Sequence, residues 1–322
     1  MGETFDVAEG ITGVDTKMTG RYLVTSAYLV NAVEPALVET GPTTSAEAVR
    51  HGLHTLGLGR DDLAHIVVTH IHLDHAGGVG TLAKGFPRAT IWVQERGAPH
   101  LADPAKLVAS TERAYGRERM RKFFGNVEPV PSGRLRAVSD GDVISLGDRQ
   151  LDVLYTPGHA SHHVCLVDSV TGAVFTGDAM GVHLPDVKVL RPATPPPEFD
   201  IELAIDSIER IRLRARSVLL LSHFGSVSDV DHLCDLAVQR ILAWGNTVRD
   251  AMRTTDDVDR IVALLEQQGS KEYKEDADEE IDMERYDVLS SIRMNAVGLM
   301  RYWKKRDERE AASARAAGPQ PS

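Results

Sequence analysis

The apolar positions of this chain follow two periods, and the change from one to the other marks its organisation. Short apolar runs bounded by turn residues dominate the first part. Tyr22 to Glu39 reads as a hairpin turning at Asn31–Pro35. Ala64–Thr69, Ala89–Val93, Leu151–Tyr155, Val164–Val167, Ala173–Phe175 and Val218–Leu221 read as further strands. Helical spacing intervenes: Thr44-x-x-Glu47 has the form of a capping box opening a helix with Val49, Leu53 and Leu56 on one face, and Gly78–Lys84 reads as a second helix. A strand–helix–strand beginning predicts a mixed sheet covered by helices. From Asp229 the pattern is helical. Leu233, Ala237, Ile241, Trp244 and Val248 share one face; Val258, Ile261, Val262 and Leu265 mark a shorter helix; Leu289, Ile292, Ala296, Leu299 and Trp303 mark a third. The expected organisation is a catalytic-type domain over 1–228, a helical extension over 229–306 and a disordered tail over 307–322. The acidic stretch Lys271–Asp282 is expected as an exposed loop, and the apolar helical stripes as core, with a homodimer contact through these helices as the alternative.

A length of 322 residues suffices for one large core with an appendage. Lys and Arg number 36 against 47 Asp and Glu, a formal charge of −11, which disfavours a nucleic-acid partner because such binding neutralises phosphates. The residues Met1 to Asp6 lack the basic region and apolar run of an export signal, and Asp6 stands where a myristoylation signal takes Ser or Thr. No apolar stretch approaches the roughly 18 residues of a membrane span. A cytoplasmic location with a small-molecule substrate, and no membrane, is the expectation. Cys165 in an apolar strand and Cys234 in a helical stretch are expected as buried small hydrophobes.

Candidate chemistry concentrates after the strand Ile66-Val67-Val68. There His70, His72, Asp74 and His75 place three imidazoles and one carboxylate in six positions, followed by Gly77-Gly78. Imidazole with carboxylate and no thiolate suits a Zn²⁺-like ion. A strand cannot aim all four groups at one point, since alternate side chains face opposite ways; a loop turning into a helix can, and the glycines are expected to let the backbone make that turn. Three later strands end in loops that carry one such residue each: His159 in Thr156-Pro157-Gly158-His159, Asp178 in Thr176-Gly177-Asp178, and His223 in Ser222-His223-Phe224-Gly225. Strand-end loops are where a rigid sheet gathers distant segments into a site.

This set of seven resembles the metallo-β-lactamase fold superfamily of binuclear metallohydrolases, with motifs from about Val38 to Gly225. The resemblance implies a four-layer αβ/βα sandwich, here with a C-terminal helical extension. It also implies His70, His72 and His159 as ligands of one metal, Asp74, His75 and His223 as those of a second, and Asp178 as the carboxylate between them. The implied cofactor is two divalent ions, Zn²⁺ by preference, with Mn²⁺ or Fe as alternatives. The implied activity is hydrolysis of an ester, thioester, lactone or related carbonyl compound, with Asp74 holding the attacking water and moving its proton. Members such as hydroxyacylglutathione hydrolase also add a helical C-terminal region. The rival reading is an iron-dependent oxidoreductase similar to the persulfide dioxygenases, which use one iron. Flavodiiron reductases usually carry Glu where this chain has His72, and a secreted β-lactamase needs an export signal. Members often carry Asp where this chain has Glu39, so the role of Glu39 is open.

Other positions carry two readings. The insertion from Gln94 to Pro131 holds an arginine-rich piece, Glu112–Phe124, either a lid or anion-binding wall, or an amphipathic helix with a solvated basic face. The proline-rich stretch Gly181–Asp200 is expected to rim the pocket. His162 or His163 either orients a ligand or begins a polar turn, His183 either reaches substrate or is loop surface, and His65 is expected to be structural.

Overall fold

The computed structural model describes residues 3–183, 189–276 and 283–316. Its first sheet lays seven strands side by side in chain order: β1 (Thr4–Ala8), β2 (Ile11–Asp15), β3 (Ser26–Val30), β4 (Ala36–Val38), β5 (His65–Val67), β6 (Thr90–Gln94) and β7 (Leu135–Val138). The first four pair antiparallel, and β4 through β7 pair parallel. Parallel neighbours need crossovers. These are α1 (Ala46–Thr55), then α2 (Leu73–Ala76) with α3 (Val79–Gly85), then the insertion helices α4 (Ala98–Ala102), α5 (Ala105–Tyr115) and α6 (Arg117–Phe124).

The second sheet contains β8 (Val143–Ser145), β9 (Gln150–Tyr155), β10 (Val164–Asp168) and β11 (Val174–Gly177). A small separate hairpin, β12 (Val182–His183) and β13 (Leu190–Arg191), precedes its last strands, β14 (Leu219–Leu221) and β15 (Ser226–Val227). The order is β15-β14-β11-β10-β9-β8, antiparallel except for β11–β14, which α7 (Ile201–Arg214) connects. The chain closes with α8 (Val230–Met252), α9 (Val258–Asp276), α10 (Met283–Leu289) and α11 (Ile292–Ala316).

Strand alternation assigns each apolar side chain to a layer. On β5, Ile66 faces α1 and α3 beside Val49, Leu53 and Leu82, while Val67 faces the other sheet. On β14, Leu219 and Leu221 lie under the helices with Ile208, Trp244 and Leu299, and Leu220 joins Val38, Phe175 and Val164 between the sheets. Helices, sheet, sheet and helices thus form the four-layer sandwich. The stripes of α8 and α11 pack inside this chain, since Leu233, Ala237, Trp244, Val248, Ala296, Leu299 and Trp303 all join the helix-side core. No described helix is long and apolar enough to cross a membrane. Both cysteines are free and buried, and burial pushes the Cys165 thiol up to about 12. His65 accepts from Trp92 Nε1 (3.0 Å) and stands 3.1 Å from Glu34, a structural position.

Four local expectations change. The capping box does not form: Thr44 Oγ1 donates to the Phe123 carbonyl (2.7 Å), Glu47 pairs with Arg50 (2.7 Å), and a 3₁₀ turn over Thr43–Ser45 leads into α1. The acidic segment from Lys271 is helical through Asp276, because Glu272 is buried against Arg240 (3.3 Å) and Trp244 Nε1 (3.0 Å) instead of facing water; residues 277–282 lie outside the described ones. The third C-terminal helix is two helices, broken at Ser290-Ser291. The expected tail is helical from 307 to 316, supported by the Arg306–Glu310 pair (3.0 Å) and the high helix propensity of alanine; 317–322 lie outside the described residues. Replacing Leu220 with Ala should lower the unfolding free energy by about 2–5 kcal/mol in urea titrations. A loss below about 0.5 kcal/mol, the scale of surface substitutions, would contradict a tightly packed layer between the sheets.

Candidate metal centre

The seven candidate residues sit on loops at the same edge of the two sheets. Thr69-His70-Ile71-His72 leaves β5 and enters α2, whose first turn carries Asp74 and His75. His159 follows β9, Asp178 follows β11, and His223 follows β14. Gly77 and Gly78 do not supply an unusual turn, for their φ values are −60° and −80°. Their function is close approach: a Cβ on Gly78 would lie 3.2 Å from the carbonyls of Thr40, Gly41 and Pro42, and one on Gly77 would lie 3.1 Å from Pro42 Cα.

The structure brings all seven together in two groups able to hold a metal ion: His70, His72, His159 and Asp178, and Asp74, His75, Asp178 and His223. In the first, His72 Nδ1 lies 3.0 Å from His70 Nε2 and 2.9 Å from His159 Nε2. In the second, the Nε2 atoms of His75 and His223 each lie 3.6 Å from Asp74 Oδ2. Asp178 belongs to both. Its Oδ1 stands 3.1 Å from His75 Nε2 and 3.0 Å from His223 Nε2, while its Oδ2 stands 3.3 Å from His159 Nε2. The buried Oδ1 and both facing nitrogens lack any aligned hydrogen bond despite these distances. In the second group, close, buried donor atoms that do not hydrogen-bond one another fit a shared cation.

Comparison with known proteins agrees. The family model described as the metallo-beta-lactamase superfamily matches residues 20–223. The chain belongs to the metallo-β-lactamase superfamily. Among solved members, ST1585 from Sulfolobus tokodaii superimposes with a TM-score of 0.66 at 20% identity, covering 90% of this chain and 98% of that one. TTHA1429 from Thermus thermophilus gives 0.65 at 19%, covering 93% and 95%. At such identities the likeness is one of fold. In sequence, the chain is 37% identical over 120 residues to acyl-coenzyme A thioesterase MBLAC2 of Gallus gallus, covering 35% of this chain and 40% of the relative. It is 36% identical over 153 residues to hydroxyacylglutathione hydrolase of Maricaulis maris, covering 48% and 46%. Each alignment therefore spans less than half of the relative's own length.

The groups behind the donors orient them. His159 Nδ1 donates to the Ala193 carbonyl (3.0 Å), which leaves the Nε2 lone pair facing the cluster. Glu39 has a defined place: Oε1 accepts from the Thr69 N–H (3.1 Å), and Oε2 lies 3.2 Å from His75 Nδ1. One carboxylate thus bonds the loop carrying His70 and stands at ion-pair distance from the ring of His75, without an aligned hydrogen bond to it. His163 is fully buried; its Nε2 accepts from the Asp178 N–H (3.1 Å) and its Nδ1 lies 2.8 Å from Thr156 Oγ1. A Cβ on Gly177 would sit 2.5 Å from that Nε2, so glycine at φ 52° lets the imidazole brace Asp178.

Burial, reinforced by neighbouring imidazoles, holds His70, His72 and His163 well below the usual histidine range, so they present neutral nitrogens. Burial also opposes charge on His75, but Asp178, Asp74 and Glu39 outweigh it and favour positive charge there. Burial likewise opposes charge on Asp178, and the surrounding His75, His223 and His159 outweigh it, keeping the carboxylate ionised. The neutral rings of His70 and His72 beside the ionised Asp178 form a site for a cation.

A cavity of about 280 Å³ opens onto Asp74, Asp178, His72 and His159. Its walls come from α5, from the strap Ala193–Glu198, from Leu289, Met294 and Asn295 of the C-terminal helices, and from Ser290 between α10 and α11. The proline-rich stretch thus rims the pocket as expected, except that 184–188, including Pro185, lie outside the described residues. The insertion walls the cavity through Leu107, Thr111 and Tyr115, whereas its arginines 113, 117, 119 and 121 are exposed and do not line it. His162 lines the cavity and accepts a long hydrogen bond from the Ile71 N–H (3.4 Å). His183 does not line it; its backbone N–H donates to the His223 carbonyl (3.1 Å). The lining residues Asn295 and Met294 carried no sequence signal, because they reach the cavity only through the docking of α11: Asn295 Oδ1 accepts from the Thr194 N–H (2.7 Å). Replacing Glu39 with Ala should weaken zinc binding at the His75 group by about 10–100-fold in chelator competition, with a smaller loss at the His70 group, whose loop Glu39 also holds. Unaltered affinity at both groups would show that Glu39 does not orient His75.

Proposed function

We propose that this protein hydrolyses carboxylic thioesters, and related esters or lactones, with two divalent cations. His70, His72 and His159 hold one, Asp74, His75 and His223 hold the other, and Asp178 serves both. The observation carrying this reading is the division of Asp178, whose two oxygens face different groups of donors. Nitrogen and oxygen donors without thiolate suit Zn²⁺, and Mn²⁺ or Fe are the alternatives. Two of the aligned relatives are named for cleaving acyl groups from a thiol carrier, coenzyme A or glutathione, which supports a thioester.

A pair of divalent cations held there supplies Lewis acidity and lowers the pKa of water toward about 7. The residues do the rest. Asp74 lines the cavity, so its carboxylate can orient the attacking water, accept its proton and deliver that proton to the leaving group. Burial keeps the imidazoles of His70, His72 and His163 neutral. The strap and α5 enclose the acyl group and limit access of bulk water. No serine or cysteine nucleophile is required, and the buried Cys165 thiol is unsuited to that task.

The test is metal quantification with a substrate panel of lactoylglutathione, acyl-coenzyme A, acyl-homoserine lactones and p-nitrophenyl esters. The expected result is two zinc or manganese ions per chain with thioester turnover. Asp178→Ala should bind at most one ion and lose activity. One tightly held iron with oxygen uptake, or two ions and full turnover in Asp178→Ala, would contradict the reading.

A further inference from the structure

Buried or half-buried tyrosines in this protein have hydrogen-bond partners, with one exception. The hydroxyls of Tyr28, Tyr155 and Tyr286 donate to the carbonyls of Gly225 (2.9 Å), Ser161 (2.9 Å) and Val189 (2.7 Å). Tyr273 is bonded to Arg191 (2.8 Å), and Tyr302 donates to Glu202 Oε2 (2.5 Å). Among the described residues, half-buried Tyr115 makes no hydrogen bond, yet it lines the cavity shared by Asp74 and Asp178. Its hydroxyl keeps solvent access, so the lack of a protein partner leaves it open to water or substrate in the cavity.

Its placement is fixed. Tyr115 ends α5, where Gly116 at φ 79° breaks the helix. Its ring packs edge-on against buried Phe124 (5.2 Å between centroids, 77°), in the cluster that also contains Leu73, the neighbour of Asp74. The other hydroxyls and amides lining the cavity are committed or peripheral. Thr111 donates to the Leu107 carbonyl (3.0 Å), Ser290 to the Pro192 carbonyl (2.8 Å), and Asn295 Nδ2 to Ser290 Oγ (2.8 Å). Thr194 Oγ1 is bonded to Asn295 (2.9 Å), and Lys106 and Ser110 are exposed. Tyr115 is the uncommitted hydroxyl within the cavity. Burial first, and then the charges of Asp74 and Asp178, keep its proton on, so at neutral pH it is a donor.

We propose that Tyr115 is a catalytic residue that donates a hydrogen bond to the acyl oxygen of the bound ester or thioester, a role that rests on the hydrolase reading. During hydrolysis the water oxygen bonds to the acyl carbon and the carbonyl electron pair moves onto the acyl oxygen. As that pair returns, the bond to the leaving group breaks. The water proton departs through Asp74 to the leaving group, and Tyr115 retains its own proton, its hydrogen bond strengthening as charge develops on the oxygen.

Tyr115→Phe keeps the ring contact with Phe124 and removes only the donor. On zinc-loaded protein assayed with p-nitrophenyl butyrate and an acyl thioester, kcat should fall by about 10²-fold, the effect of losing one donor to a developing oxyanion, with KM little changed. Zinc content and melting temperature should match the wild type. Calorimetry with an alkylphosphonate should show weaker binding to the variant. Undiminished kcat in Tyr115→Phe beside an active wild type would overturn the role of Tyr115 and leave the hydrolase reading intact, as would a loss confined to KM. Absence of turnover in the zinc-loaded wild type would overturn both.

Discussion

A carboxylate buried between two sets of imidazoles is the constraint on which this site depends. An anion taken out of water is costly unless charge or hydrogen bonds compensate it. Asp178 is 6% exposed, and the rings facing it come from three different loops. Among the described residues, the ion-pair partners of Asp178 are the imidazoles of His75, His223 and His159, with no lysine or arginine among them. The rings of His70 and His72 are held neutral by burial, so they contribute lone pairs and no charge. Carboxylates and lone pairs converging without a fixed positive charge form an arrangement that divalent cations complete, and the proposed chemistry follows from that need.

The fold contributes rigidity. Donors come from the ends of β5, β9, β11 and β14, and each group draws on both sheets, so the register between the sheets sets how closely each group converges. Leu220, Phe175, Val38 and Val67 lock that register from between the sheets. Behind the loops, Glu39 ties the His70 loop to His75, and His163 ties Asp178 to the strand end at Thr156. Positions held by packing and by a second set of hydrogen bonds keep a site within the tolerance that its chemistry requires.

Much of this was legible in the sequence. Strand-end loops with metal-type residues marked the seven positions, and alternating apolar runs marked the sheets. The role of Glu39 was not legible, because a carboxylate at that place says nothing of which atoms it reaches until the neighbouring loop is folded against it. Gly77 and Gly78 looked like turn residues, whereas what crowds a side chain there is the Leu73 carbonyl at Gly77 and, at Gly78, the approach of Thr40–Pro42 from more than thirty positions earlier. Glu272 misled for a similar reason: its acidic surroundings suggested water, while its partners Arg240 and Trp244 lie on α8. The cavity wall was the least legible part. Tyr115, Met294 and Asn295 meet only because the insertion and the last helices converge on the strap, and no local pattern encodes that meeting.

Anomalous diffraction at the zinc edge, from crystals of zinc-loaded protein, examines this arrangement most directly. The account predicts two peaks, one among His70, His72 and His159 and one among Asp74, His75 and His223, with one oxygen of Asp178 turned to each. A single peak with the second group vacant at saturating zinc, or peaks away from Asp178, would contradict it.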